Sequence, residues 1–341
     1  MIFLNEQFEH RKPGEPYMLI FAGSGPKNIE LPDGTITDCQ EIKMKIGAPQ
    51  LLAWRNERKE LDRWVEYLRE NPDCPCKLVV DSSAYSAWTR GLEIDIDEYI
   101  EYINSISDVV YWFAELDKIP GKFGEEHTPE ELAEAPEYSW KNYLYMIERV
   151  NCPKKILPIF HQGEDFKYLQ QMLEFRFDDG SKIEYIGISP DNGVNVGLKM
   201  KWYEKVWKII ADSSNPDVLT HNFGMTTISL MEQYPSMSSD STSWLRSASF
   251  GNICIVVNGK IKTVYVSSRN PNDDKHINNQ STAIKEAVEK ACERIGHGIT
   301  LQSLVDDEKG GLRMIFNLYA LDEWRKNFEY VGNKLFKTEL W

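Results

Sequence analysis

The chain has 341 residues, 42% hydrophobic and 27% charged, a globular composition long enough for an α/β barrel. A formal net charge of −14 excludes a bulk electrostatic nucleic-acid binder, so any such contact needs a local basic patch. The start, "MIFLNEQFEHRKPG", lacks the basic and apolar regions of a signal peptide, no apolar stretch approaches the ~18–20 residues of a membrane span, and six scattered cysteines suggest neither a disulfide framework nor a zinc knuckle, so a reduced cytoplasmic protein is expected.

In chain order, "YMLIFAGS" (17–24) reads as a strand ending in small residues, and "GSGPKN" (23–28) as a turn rather than a dinucleotide-binding glycine loop. "ERKELDRWVEYLREN" (57–71) spaces Leu61, Trp64, Val65 and Leu68 as one helical face. A strand at 77–83, a helix at 96–106 and a buried strand at 109–117 follow. The stretch 128–150 opens with a Thr cap and Pro at the first helical position, and is expected to break near Pro136. Strands are expected at 154–160, 183–189 and 217–224, with helices at 165–175, 199–212 and 226–233. Past Phe250, two β runs flank Asn258-Gly259, a hairpin signal, and largely helical sequence runs to the end. Six or seven strand–helix units imply a parallel sheet, and favour a (β/α)8 TIM-type barrel over residues 1–250. A hairpin and helical extension over 251–341 would pack on it as one structural unit.

Polar residues cluster where these strands end: Asp81-Ser82-Ser83, Asp117, His161-Gln162-Gly163-Glu164, Gly187-Ile188-Ser189 and His221-Asn222-Phe223-Gly224. Asp240 follows, within "SSDSTSW" (238–244), which taken alone reads equally well as a surface turn. Any one of these is an ordinary helix cap, but in a parallel barrel all six open onto one face, where barrel enzymes place their sites. Three carboxylates in one mouth suit an oxocarbenium-like centre, with one attacking a sugar carbon and another protonating the leaving group. The amides of Gln162 and Asn222 and exposed backbone at Gly187 suit the edge of a planar base, and Tyr85, Phe223 and Met225 offer stacking faces. Ser239, Ser241 and Thr242 would orient the Asp240 carboxylate. Between Ser241 and Asn272 there is no acid, while Arg246, Lys260, Lys262 and Arg269 are all present.

These stretches together resemble the tRNA-guanine transglycosylase superfamily. "DSSAYS" is similar to that family's Asp-Ser-Gly-Gly-Tyr/Phe stretch, and "AELD", "IFHQG", "YIGIS", "HNFG" and "DSTSWLR" follow in the family's order, over residues 77 to 250. "DSSAY" with "WTRG" looks closer still to the phage and bacterial branch that places 7-deazaguanines in DNA. The resemblance implies that Asp240 attacks C1′ to form a glycosyl-enzyme and that Asp81 is the acid/base. Asp117 would read the base's N1/N2 edge, with Gln162 and the Gly187 backbone reading O6. Ser82 belongs to the same base pocket, Tyr85 falls on the stacking aromatic, and His221 falls where an opposing methionine usually lies. Arg246 would grip backbone phosphate beside the basic hairpin carrying Lys260, Lys262 and Arg269.

The implied reaction exchanges guanine in a polynucleotide for a free 7-deazaguanine base such as 7-cyano-7-deazaguanine. Two departures matter. Ser83-Ala84 replaces the family's Gly-Gly, giving the pocket a bulkier floor, and the family's Cys-x-Cys-x-x-Cys zinc motif is missing. Cys254, His276, Cys292 and His297 are the only residues that could gather a metal there, and a buried Cys with a helix-end His is the better account of the last two, so no cofactor is expected. Loss of the zinc region favours DNA over tRNA as partner. The alternatives are exchange in tRNA, a non-catalytic nucleic-acid-binding subunit, or an unrelated metal-dependent barrel hydrolase using His161 and His221. The last lacks any HxH or HExxH spacing.

Overall fold

The structure, a computed structural model, describes residues 17–328 apart from 192, 226 and 235. The N-terminal stretch read for a signal peptide and the end of the expected helical extension lie outside the described residues. The chain starts with β1 (Met18–Ala22), a small hairpin of β2 (Ile29–Glu30) and β3 (Ile36–Thr37), and helix α1 (Cys39–Ile46). Then come β4 (Gln50–Ala53), α2 (Arg58–Glu70), β5 (Leu78–Asp81), α3 (Ala84–Trp88) and α4 (Ile96–Ile106). The next elements are β6 (Val110–Ala114), α5 (Pro129–Ile147), β7 (Ile156–Leu157), β8 (Ile159–His161) and α6 (Phe166–Glu174). They are followed by β9 (Tyr185–Ser189), α7 (Val196–Asp212), β10 (Leu219–Asn222), α8 (Ile228–Gln233), β11 (Ser238–Ser241) and α9 (Ser243–Ser249). The hairpin β12 (Asn252–Val257) and β13 (Lys260–Tyr265) precedes α10 (Thr282–Ile295), α11 (Leu301–Asp306) and α12 (Gly311–Lys326).

Nine strands form one parallel sheet in the order β7-β6-β5-β4-β1-β11-β10-β9-β8. Its two edge strands are separated in sequence by Pro158 alone: β7 pairs with β6, and β8 pairs with β9. One continuous run of chain therefore joins both edges, and the sheet is a nearly closed barrel with helices outside. Period-2 alternation sorts the strands. Ile20, Leu51, Val79, Trp112, Leu157, Tyr185 and Leu219 cluster inside, whereas Leu52, Val80, Phe113, Phe160 and Ile186 pack against the helices.

Three local expectations change. Helix α5 runs unbroken through Pro136, its N-terminus fixed by a full capping box between Thr128 and Glu131. Strand β4 was not anticipated. Nor was β11: "SSDS" is not a turn after the barrel but a barrel strand, pairing with both β1 and β10. The C-terminal part shares its core with the barrel. Trp324, Leu318 and Ile315 of α12 cluster with Tyr17, Leu19 and Phe21 of the first strand region, and Tyr17 N–H bonds Arg325 O at 2.8 Å. Among the described residues, no helix is long and apolar enough to cross a membrane.

Candidate active site

Asp240 faces the barrel interior because its strand partner Ile20 does. It is 8% exposed, and its Oδ1 accepts the Gly224 N–H at 2.7 Å. His221 Nε2 lies 3.3 Å from the same oxygen. The other ring nitrogen, Nδ1, is 2.7 Å from Ser238 Oγ, which in turn meets the Tyr185 hydroxyl. The fully buried His221 ring is walled by Trp112, with centroids 4.8 Å apart, and Phe223 at 4.4 Å. Burial lowers its pKa against the opposing pull of Asp240, so a neutral imidazole supports the carboxylate. His221 thus holds Asp240 from behind and presents no stacking face. Of the expected supports, Ser241 Oγ accepts the Ser243 N–H, and Ser239 Oγ is buried without a hydrogen bond.

Asp81 ends β5 on the inner face, in register with Ala53. Its Oδ1 accepts the Ser83 N–H at 2.7 Å. Ser83 makes this bond from a left-handed conformation, φ 67°, that glycine adopts without strain. Its hydroxyl accepts the Arg55 N–H at 3.2 Å, a bond glycine would lack. Burial pushes the Asp81 carboxyl up to about 7, reinforced by the negative charges of Asp117, Asp240 and Glu57 and opposed by the Ser83 hydrogen bond. The three aspartates therefore share one electrostatic site.

Asp117 lies just past β6. Its Oδ2 is 3.2 Å from His161 Nε2, and Ser82 Oγ is 3.5 Å from its Oδ1. His161 Nδ1 is 3.1 Å from Glu164 Oε1, and the Glu164 carboxylate also accepts the His161 N–H. Burial works against a charged ring here, but Glu164 and Asp117 outweigh it and hold the His161 pKa well above its ordinary value. Glu115, two residues before Asp117, was not anticipated. It is fully buried, its Oε1 accepts the Ile159 N–H at 2.7 Å beside the barrel seam, and its Oε2 has no hydrogen bond. Burial above all raises its pKa well above the ordinary carboxyl range.

Other expected groups are placed differently. The Gly187 N–H is not exposed but bonds Pro158 O at 2.8 Å, and a Cβ there would meet the Phe223 ring at 2.6 Å. This glycine is required by packing. Gln162 Oε1 accepts the Asp191 N–H at 3.0 Å. Asn222 is fully buried with neither amide atom bonded, and Met225 is buried in the helix-facing core. Tyr85 stands 64% exposed on α3, its ring 5.8 Å from Trp88. Arg246, Lys260, Lys262 and Arg269 are all exposed, and Arg269 donates to Glu308 O.

No protein-family model and no curated protein matches the chain. The site is therefore read from its own geometry. The candidate metal residues do not converge. Cys254 and Cys292 are buried, His276 caps the Ile277–Asn279 turn through Nδ1, and His297 pairs with Asp33 at 2.8 Å. Among the described residues, no group of three or more His, Cys, Asp or Glu side chains is arranged to hold a metal ion.

Proposed function

We propose that this protein is a transglycosylase that exchanges guanine in a polynucleotide, DNA in the first instance, for a free 7-deazaguanine base. The observation that carries the reading is the division of labour between two carboxyl groups in one mouth. Asp81 is pushed up to about 7, the range of a general acid and base at neutral pH. Asp240 Oδ1 accepts the Gly224 N–H and lies 3.3 Å from His221 Nε2, leaving Oδ2 as the attacking oxygen.

In this mechanism Asp240 Oδ2 attacks C1′ of the target nucleotide as the C1′–N9 bond breaks. The departing guanine takes its proton from Asp81. The 7-deazaguanine then enters, Asp81 carboxylate removes its N9 proton, N9 attacks C1′, and the ester bond to Asp240 breaks. The target base must leave the stack or lie in single-stranded nucleic acid to reach the mouth. Asp117 supplies acceptor oxygens for the base's donor edge, and the exposed cations from Arg246 to Arg269 offer a phosphate grip without sequence information. That grip is compatible with the chain's overall acidity only because it is local.

Incubating the protein with guanine-containing DNA and resolving it on a denaturing gel tests the reading. A covalent protein–DNA adduct is expected with the native chain and none with Asp240→Ala. An adduct formed equally well by Asp240→Ala would refute the mechanism. Adduct formation with tRNA but not DNA would reassign the polynucleotide and keep the chemistry.

A further inference from the structure

We infer that His161, clamped between Glu164 and Asp117, is the positioning residue that fixes which bases the mouth accepts, namely planar heterocycles with two adjacent N–H donors. The inference rests on the proposed exchange reading and goes one step beyond it. Both His161 ring nitrogens face carboxylate oxygens, at 3.1 and 3.2 Å. A neutral imidazole has one N–H and could satisfy only one of them; serving both takes either a doubly protonated ring or a protonated carboxyl. With the ring charged, Asp117 is left as a pure acceptor. Ser82 Oγ is only distantly engaged with Oδ1, at 3.5 Å, so that oxygen keeps acceptor capacity for a further donor.

A carboxylate reads two neighbouring donors, as on the 2-amino-4-oxo edge of guanine or a 7-deazaguanine. A protonated carboxyl would offer one donor and one acceptor, and would accept a base lacking the 2-amino group equally well. His161 therefore sets the selection through Asp117 without itself touching the base. Its neighbour Glu115, also acidic and buried, lies close enough to interact with both His161 and Asp117, but its Oε1 is already engaged by the Ile159 N–H.

The test measures KM and kcat for exchange of a 7-deazaguanine and of its analogue lacking the 2-amino group, with the native chain, His161→Gln and His161→Lys. The native chain is expected to prefer the 2-amino base by about tenfold to 100-fold. His161→Gln should lose most of that preference through KM, with kcat little changed, and His161→Lys should restore part of it by returning a cation beside Asp117. An unaltered preference in His161→Gln, or an equal loss for both bases, overturns the inference. Nitrogen NMR of the native chain's His161 gives a readout independent of exchange. Two protonated ring nitrogens at pH 7.5, shifted by added 7-deazaguanine base and not by its analogue lacking the 2-amino group, would uphold the inference even if no exchange occurred and the exchange reading fell. A singly protonated ring would overturn the inference even with exchange intact.

Discussion

The mouth contains two His–Asp pairs that look alike in composition and behave oppositely. On the β10–β11 side, His221 lies 3.3 Å from Asp240 and its second nitrogen meets the Ser238 hydroxyl. On the β6–β8 side, His161 lies 3.2 Å from Asp117 and its second nitrogen meets the Glu164 carboxylate. One neutral partner against one charged partner decides the sign. Burial prevails at His221 and lowers its pKa, whereas two carboxylates prevail at His161 and raise it. The difference teaches that a histidine beside an aspartate is not by itself an acid, a base or a ligand. The group on its far nitrogen assigns the role: a neutral brace behind the proposed nucleophile, a cationic brace behind the proposed base reader.

The largest expected effect comes from breaking the neutral side. Asp240→Asn retains an acceptor for the Gly224 N–H but is a poor nucleophile. Exchange should fall by roughly 10⁴-fold, measured by incorporation of labelled base. Next is Asp81→Asn, which should reduce exchange by about 10²- to 10⁴-fold, as expected for loss of a general acid–base group. In the native chain, single-turnover adduct formation should decline about tenfold per pH unit above about 7, as Asp81 loses the proton the departing base requires.

The same substitution has a signed effect on stability. The Asp81 pKa is raised from 3.8 unfolded to about 7 folded, so between those values the unfolded state ionises and the folded state does not. Native stability is drained as pH rises through that window. Asp81→Asn escapes this, and still accepts from Ser83. Its melting temperature should match the native chain's near pH 4 and exceed it increasingly up to pH 7. A constant difference across that range would show that Asp81 is not held neutral by the fold.

Much of the barrel was legible because helix-facing strand positions and amphipathic helices repeat with ordinary periods. The face opened by the strand ends was legible too, since Asp81, Asp117, His161 and His221 follow apolar runs. What escaped was β11, and for a physical reason. Its own inward positions, Ser238 and Asp240, are polar and engage Tyr185 and His221, so "SSDS" carries no hydrophobic alternation. The pairing of His161 with Glu164 was visible only as an i, i+3 spacing. Glu115 gave no signal, because nothing in the run from Val109 to Asp117 shows that the Ile159 N–H at the seam needs an acceptor. Gly187 was read as exposed backbone, when the ring of Phe223 occupies the space its missing Cβ leaves.

That packing offers a third, smaller perturbation confined to the His221 side. Gly187→Ala would place a methyl group 2.6 Å from Phe223 Cε2 and 3.0 Å from Ile159 Cγ1. Phe223 must shift, and it is the ring packed edge-to-face on His221. A stability loss of about 1–3 kcal/mol is expected from denaturant unfolding. The His221 resonances should move and those of His161 should stay. Movement of both would mean that the two halves of the mouth are mechanically coupled.

The smallest and sharpest test makes the two histidines more alike. Glu164→Gln replaces the second carboxylate at His161 with a neutral amide, whose single oxygen can take over the bond from Nδ1–H while the backbone N–H loses its acceptor. His161 would then resemble His221, with one carboxylate and one neutral partner. Its pKa should fall by at least about one unit, read from NMR titration of the ring nitrogens, while His221 is unchanged. The sign on stability follows. A histidine whose folded pKa is raised contributes stability that is full below its unfolded value near 6.5 and is lost as pH rises through the folded value. In Glu164→Gln that contribution is smaller and is exhausted at lower pH, so the native chain's advantage in melting temperature should be largest near pH 6 and close as pH rises through the native folded value. If the His161 pKa stayed where it is in the native chain, Asp117 alone would account for the charge, and the contrast between the two pairs would have to rest on burial rather than on the partner at the far nitrogen.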